Sequence, residues 1–483
     1  MIKKFYVNQY PLDSYQTKIL LSNSNTIIVA GAGSGKTLTI IGKINYLIEY
    51  KDIKPEEILV ISFTNASVND LKSKIKYDIP IYTFHKLAMN ILKTNCYHFS
   101  LCPQNLLKYI IREYLITCSN IKKNNILKFL KFNSNYNNFI ISNEFIYFCN
   151  FIETFINLFQ TSNSSFQNFN FKKFSKNEKE ILTIIFEIYK IFLSEKKSSN
   201  FLDFDDLIKT ATNLVKKTNF NYKYIIIDEF QDTSFIRINL IKEIFNHSKA
   251  KIIVVGDDWQ SIYRFSGCDL SIFLNFQKIF PNVKQLKLKN TYRNSQELIN
   301  IAANFVQKNA QQIPKKLISF KNNKIPIIFA PYINPKVEFK KILNHLIHKT
   351  NDILILARNN NDIHNYLDKD FKIIDNLIYY KNHTFKFLSV HKSKGLEAEY
   401  TIILNCNDSY LGFPNKIENN SITKKFFPNE NYKFAEERRL FYVALTRCKE
   451  SVYLMYDKCT PSPFVSETKK LVKKNMRKIT YFK

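Results

Sequence analysis

Eight residues near the N-terminus, Ala30, Gly31, Ala32, Gly33, Ser34, Gly35, Lys36 and Thr37, combine small side chains with a Lys-Thr pair. Their A-x4-G-K-T spacing is that of a phosphate-binding loop, with alanine at the position more often held by glycine. Small residues let backbone N–H groups approach phosphate oxygens. Lys36 can neutralise the β and γ oxygens, and Thr37 can offer a hydroxyl to magnesium. A plain glycine turn would not need the apolar run SNTIIVA ahead of it or the helically spaced LTIIGKINYLI behind it. Strand, turn and helix stand in the order that a nucleotide loop requires.

A second constellation lies at Ile225-Ile226-Ile227-Asp228-Glu229. At the end of a buried strand, Asp228 can hold magnesium directly or through water, while Glu229 can orient and deprotonate an attacking water. Alone, the pair could be a solvated acidic turn. Together with the phosphate loop it points to nucleotide hydrolysis.

These groups need a sheet to carry them. Strand-like runs at 24–30, 58–63, 221–228 and 251–256, separated by helical segments, predict a parallel sheet covered on both faces. The interval 89–200 reads as a mostly helical insertion. Its helices at 104–116 and 178–194 flank an Asn/Ser/Phe-rich stretch from Asn133 to Asn170, and 161–178 is expected to be a loop. A second α/β pattern follows, with strands at 326–330, 353–357, 385–390, 400–404 and 451–456 and helices at 295–308, 336–348 and 434–447. Val390 follows Arg358 by only 32 positions, too few for a large domain. The tail from Lys469 to Lys483 is basic and is expected to fray or touch nucleic acid. The expected division is 1–88 and 201–289 for a first sheet domain, 89–200 for its insertion, and 290–483 for a second sheet domain.

Composition narrows the partners. With 71 Lys+Arg against 41 Asp+Glu, the formal charge of +30 favours a polyanion. Only nine of those cations are arginines, and six of the nine stand in or beside motif stretches: Arg264, Arg293, Arg358, Arg438, Arg439 and Arg447. Arginine offers a rigid fork that lysine lacks, so this placement marks them for mechanism. The N-terminus lacks a continuous apolar signal segment, and the apolar stretch Ile181–Leu193 is interrupted by Glu187 and Lys190. The eight cysteines form no CxxC pair and no zinc or iron–sulfur spacing, which favours a reducing, intracellular setting.

The ordered set of motifs resembles the UvrD/Rep-like superfamily 1 DNA helicases, and most closely the helicase IV branch. AGAGSGKT at 30–37 is followed by SFTNAS at 62–67, TFH at 83–85, DFDDLI at 203–208 and IDEFQDTS at 227–234. GDDWQSIYRFSG at 256–267, NTYRNS at 290–295, VHKSKGLEAEY at 390–400 and EERRLFYVALTRCKE at 436–450 complete it. The resemblance implies two RecA-like P-loop domains in an α/β fold, with an accessory insertion in the second domain that is reduced or absent.

By that resemblance Gln16 reads adenine, Tyr292 stacks on it and Glu397 contacts the ribose. Arg293 and Arg447 reach the γ-phosphate from the second domain, and Gln260 senses it. The implied catalytic set is Lys36, Asp228, Glu229, Gln260, Arg293 and Arg447, with ATP and Mg2+ as cofactors and Thr37 and Asp228 on the metal. Phe63, Thr64, Asn65, His85, Tyr263, Phe265 and His391 are the implied strand contacts. The implied partners are single-stranded DNA and duplex–single-strand junctions, with repair or replication proteins left open beside them and no membrane. The implied activity is an ATP-dependent 3′→5′ helicase and translocase, cytoplasmic or nucleoid-associated in a bacterium. A translocase that strips proteins from a strand without processive unwinding is the alternative, and a non-enzymatic nucleic-acid-binding protein is a third and weaker one. Leu38, Trp259 and Ser266 depart from the pattern common in such proteins.

Overall fold

The computed structural model describes residues 4–162, 164, 168–417, 420–427 and 430–482. Two parallel-sheet units form its core. Numbering only the strands of these sheets, the first contains β1 (Asn25–Val29), β2 (Ile58–Ser62), β3 (Ile81–Thr83), β4 (Tyr224–Ile227), β5 (Lys251–Gly256) and β6 (Val283–Lys287). Their spatial order is β6-β1-β5-β4-β2-β3, all parallel. The central strands are buried along their length, as the run Tyr224–Ile227 shows, because helices cover both faces. The phosphate loop therefore leaves the carboxyl end of β1, and the Asp228-Glu229 pair leaves β4 two places away.

The second sheet holds β7 (Ile327–Tyr332), β8 (Ile353–Ala357), β9 (Phe371–Ile374), β10 (Leu377–Tyr380), β11 (His383–Ser389), β12 (Ala398–Ile403), β13 (Cys448–Asp457) and β14 (Thr480–Tyr481). Its order is β9-β10-β11-β8-β12-β13-β7-β14. The molecule is thus an α/β protein with tandem RecA-like sheets and a largely helical region. The span between Arg358 and Val390, expected to hold no large domain, holds a 3-10 turn, the β9–β10 hairpin and β11. That hairpin joins the sheet edge antiparallel through β11. Asp375 and Asn376, both at positive φ (46° and 67°), make its tight two-residue turn.

Two expectations need correction. The Asn133–Asn170 stretch is not a separator: Asn143–Thr161 is one helix of 19 residues. Phe145, Phe148, Ile152, Phe155, Ile156 and Phe159 recur at helical spacing on its buried face. Asn143, Asn150 and Asn157, which made the stretch look loop-like, recur every seventh position on the exposed face. The basic tail is also part of the fold. Pro463–Met476 is a helix, and Thr480–Tyr481 pairs in parallel with β7.

The remaining insertion helices are Leu106–Thr117, Asn120–Leu130, Tyr136–Ile140 and Lys176–Ser198. Within the expected loop at 161–178, part of which lies outside the described residues, Phe169 and Phe174 pack against the insertion core. The helix Phe84–Thr94 runs through position 88, so one rigid element joins the first sheet to the insertion. Among the described residues no helix is long and apolar enough to cross a membrane.

Between the two sheets lies a shared apolar core. Trp259, fully buried in the loop after β5, packs edge-on against Tyr442 of the helix Ala435–Leu445 at 5.4 Å. Ala32 and Ile262 join the same cluster.

Candidate nucleotide and strand sites between the two sheets

Gly33 and Gly35 take φ of +66° and +74°, a backbone region costly for other residues, and this is what bends the loop after β1. The helix Lys36–Lys51 then starts at Gly35 with no side-chain cap, leaving first-turn N–H groups for an anion. Ala30 continues β1 through its N–H to Gly256 O at 2.9 Å. A Cβ on Gly31 would strike Leu317, and one on Gly33 would lie 2.5 Å from Arg293 Cβ. The loop is therefore clasped by the second half of the chain. Thr291 Oγ1 donates to Ala32 O at 2.7 Å, Tyr292 N to Gly33 O at 2.9 Å, and Ala32 N to Tyr442 Oη at 3.5 Å.

Lys36 Nζ forms an ion pair with Glu229 Oε1 at 2.7 Å. Glu229 also accepts from Gln231 Nε2 at 2.6 Å and lies 3.4 Å from Lys394 Nζ. Against the cost of burial, Lys36 and Lys394 hold its carboxyl well below the usual range, so it is anionic at neutral pH. Burial and the neighbouring Glu229 push Asp228 the other way. A bound cation beside Asp228 would relieve that cost, which fits this carboxylate to magnesium. Thr37 is half-buried at the start of the helix. Among the described residues no group of three or more His, Cys, Asp or Glu could hold a metal. A hydroxyl and one carboxylate suit a hard ion that keeps waters and phosphate oxygens as its other ligands.

Two buried polar side-chain atoms at the loop lack hydrogen-bond partners among the described residues. Ser34 Oγ and Gln16 Nε2 are both buried and unbonded. Gln16 Oε1 accepts from Asp13 N at 2.9 Å, so Nε2 is the atom left for a base. A Cβ on Gly35 would meet Gln16 Nε2 at 2.8 Å and the Tyr292 ring at 3.6 Å, so both groups converge on the loop. Tyr292 is 43% exposed and its hydroxyl donates to Asp13 Oδ2 at 2.6 Å, which leaves a ring face open to stack.

The second sheet supplies cations. Arg447 is 1% exposed, and its guanidinium donates to Val443 O, Leu396 O and Gln260 Oε1 at 3.1–3.2 Å. Among the described residues it has no carboxylate partner, and burial together with the Arg293 guanidinium pushes it down to about 9. A buried cation facing a second cation calls for an anion, and phosphate oxygens would supply one. Arg293 donates to Glu397 Oε2 at 2.7 Å and to Thr446 O at 3.3 Å. Glu397, expected on the ribose, thus also orients Arg293, and it pairs with Lys449 at 3.4 Å. Gln260 Nε2 donates to Asp257 Oδ2 at 2.5 Å.

Of the expected strand contacts, Phe63, Tyr263, Phe265 and His391 come together. Phe63 and Tyr263 are parallel within 9° at 6.4 Å, Tyr263 and Phe265 lie 6.1 Å apart, and Phe265 meets His391 edge-on at 5.5 Å. Tyr263 Oη donates to His391 O at 2.9 Å. A cleft of about 1420 Å³ opens here, with Arg264, Arg358 and Lys392 also on its wall. Thr64 and Asn65 are exposed beside Phe63, but Thr64 Oγ1 also caps the helix Asn65–Lys74 by accepting from Ser67 N at 3.1 Å. His85 belongs to a separate pair, edge-on to Phe204 at 5.1 Å. Burial, with Arg237 and Arg358 as lesser causes, pushes His85 and His391 each down to about 4. At neutral pH they offer a ring and a hydrogen bond, not a charge.

Several residues at the site were not singled out from sequence. Arg237 lies over the Phe63 ring at 4.5 Å, and Phe204 is 58% exposed beside His85. Lys394 joins Glu229, Asp232 and Gln260 O, the last at 2.9 Å, and lies 5.4 Å from the Tyr263 ring centre. Phe204 and Lys394 sit inside the quoted motifs, so their signal was available. Lys315, whose Nζ donates to Ala30 O at 2.8 Å and pairs with Asp257 and Asp258, sits in none.

The UvrD/REP helicase N-terminal domain matches residues 12–281, and the UvrD-like helicase C-terminal domain matches 375–459. The chain belongs to the UvrD/Rep helicase family. It is similar to DNA helicase IV of Escherichia coli (strain K12), 27% identical over 96% of this chain and 71% of that protein. The ATP-dependent DNA helicase Rep of Buchnera aphidicola subsp. Schizaphis graminum is 30% identical over 81% of this chain and 59% of its own length. The ATP-dependent DNA helicase PcrA of Staphylococcus epidermidis is 28% identical over 79% of this chain and 52% of its own length. The chain spans little more than half the length of the Rep and PcrA relatives.

Proposed function

We propose that this protein is an ATP-dependent single-stranded DNA translocase and helicase of the helicase IV branch, moving 3′→5′. The branch is supported by the alignment with helicase IV along 96% of the chain, and the polarity by the family resemblance. ATP lies between the two sheets. The first sheet domain, 1–88 with 201–289, supplies the phosphate loop, Asp228, Glu229 and Gln260. The second, 290–483, supplies Arg293, Arg447, Tyr292 and Glu397.

The observation that carries the reading is convergence. Lys36 pairs with Glu229 of one sheet, and Glu229 is linked through Gln231, Asp257 and Gln260 to Arg447 of the other, which among the described residues has no carboxylate partner. In this reading Lys36, Arg293 and Arg447 neutralise charge on the transferred phosphoryl oxygens, and Gln260 registers that group. Glu229 accepts the proton of the attacking water. Magnesium, when bound at Thr37 and Asp228, neutralises phosphate charge. Loss of the γ-phosphate removes the anion shared by the two halves and loosens their closure, which moves the strand held along Phe63, Tyr263, Phe265 and His391.

Strand-stimulated ATP hydrolysis, followed by displacement of a duplex carrying either a 3′ or a 5′ single-stranded tail, tests this. Turnover without strand stimulation would refute the motor, and displacement only from the 5′ tail would refute the polarity. A second reading, removal of bound proteins without processive unwinding, is favoured by one observation: the short β9–β10 hairpin stands where longer helicases of this kind carry an accessory domain. Displacement of a strand-bound protein at a rate that far exceeds duplex unwinding would favour that reading.

A further inference from the structure

Outside every motif, Lys315 lies between the helix Gln296–Val306 and β7, yet its ammonium is buried in the first sheet's nucleotide machinery. Its Nζ donates to Ala30 O, at the mouth of the phosphate loop, at 2.8 Å. It pairs with Asp257 and, at 2.7 Å, with Asp258, and it lies 4.4 Å from the Trp259 ring centre. Both carboxylates are fully buried and adjacent in sequence. Among the described residues Lys315 is the cation paired with both carboxylates.

Asp257 is a hub. Its Oδ2 accepts from Gln260 Nε2 at 2.5 Å, and this fixes which end of the Gln260 amide faces Arg447. With Nε2 turned to Asp257, Oε1 is left to accept from Arg447 Nη2 at 3.1 Å. The Asp257 N–H donates to Gln231 Oε1 at 2.9 Å, and Gln231 Nε2 donates in turn to Glu229 Oε2 at 2.6 Å. One ammonium from the second half of the chain therefore anchors the residue that orients Gln260 and, through Gln231, steadies Glu229.

We propose that Lys315 is a positioning residue for nucleotide hydrolysis, acting through Asp257 to hold the Gln260 amide with its oxygen toward Arg447. The inference rests on the roles proposed above for Gln260 and Arg447. Lys315→Met removes the ammonium that holds the Asp257 carboxylate, so Asp257 Oδ2 no longer fixes the Gln260 amide. Asp257→Asn places an amide N–H donor where Oδ2 accepts, which turns the Gln260 oxygen toward it and Nε2 against the Arg447 guanidinium. It does so without leaving a surplus buried charge, so it carries the test even where Lys315→Met fails to fold.

The test is a pair of double-mutant cycles on strand-stimulated ATP turnover: Lys315→Met with Gln260→Ala, and Asp257→Asn with Gln260→Ala. Each of Lys315→Met and Asp257→Asn should lower kcat at least about tenfold, leave the ATP KM within about threefold, and cost less than about threefold more once Gln260 is alanine. Losses that multiply with the Gln260→Ala loss, or that fall on KM alone, would reduce Lys315 to a packing role and overturn the proposal. Absence of strand-stimulated turnover in the unaltered protein would instead refute the nucleotide reading on which it rests.

Discussion

Arg447 of the second sheet donates to Gln260 of the first at 3.1 Å, and among the described residues Arg447 has no carboxylate partner. The bond therefore joins the two halves through a cation that still lacks its anion. A γ-phosphate in reach of both residues would satisfy it. In the proposed function closure and catalysis depend on the same two side chains, which is how a bond-breaking step can become a domain movement.

Glu229 should be separable from nucleotide binding. Glu229→Gln keeps the shape that accepts from Gln231 but cannot take a proton, so kcat should fall about 10²–10⁴-fold while ATP affinity changes little. Turnover and equilibrium binding of a nonhydrolysable analogue measure the two independently. Equal losses in both would contradict the assignment of Glu229 as base.

Exposure sorts the aromatic track. Phe265 is 61% exposed, so Phe265→Ala should weaken single-strand binding by about 1–3 kcal/mol with an unchanged melting temperature. Tyr263, half-buried and bonded to His391 O, should lose both affinity and thermal stability on replacement by alanine. Fluorescence titration with an unstructured oligonucleotide, beside a melting curve, would read this. An affinity unaffected by either change would remove the track from this cleft.

His85 and His391 set a pH dependence of stability. Each is held down to about 4, below the ordinary histidine value, so the unfolded chain binds more protons between the two values. Stability is then present in full above about pH 6.5 and lost as pH falls toward 4, on the order of 1 kcal/mol per histidine by pH 5. Urea midpoints at pH 7.5 and 5 should differ, and His391→Gln should shrink the difference. A midpoint independent of pH across that range would contradict the burial of both rings.

Much of the nucleotide side was legible in sequence because its chemistry depends on local order. Gly33, Gly35 and Lys36 must be neighbours to bend a loop and start a helix, and Asp228 must end a strand. Residues that act by tertiary contact left less trace. Lys315 reaches Asp257 across 58 positions, and nothing near it in sequence distinguishes it from the other lysines. The helix Asn143–Thr161 was hidden by its composition, since its asparagines all fall on the solvent face. Asp375-Asn376 carried a readable turn signal, but the apolar strands on either side are short. Thr64 shows the opposite problem: a motif position expected on the strand also serves as a helix cap.

The most direct test of the central claim, that an arginine of the second sheet completes the nucleotide site of the first, is strand-stimulated ATP turnover by Arg447→Ala at saturating oligonucleotide. The account predicts a loss of about 10²-fold or more in kcat, with nucleotide-free strand affinity kept within about threefold. Turnover at the rate of the unaltered protein would contradict it, because Arg447 would then be only a buried tie between the sheets.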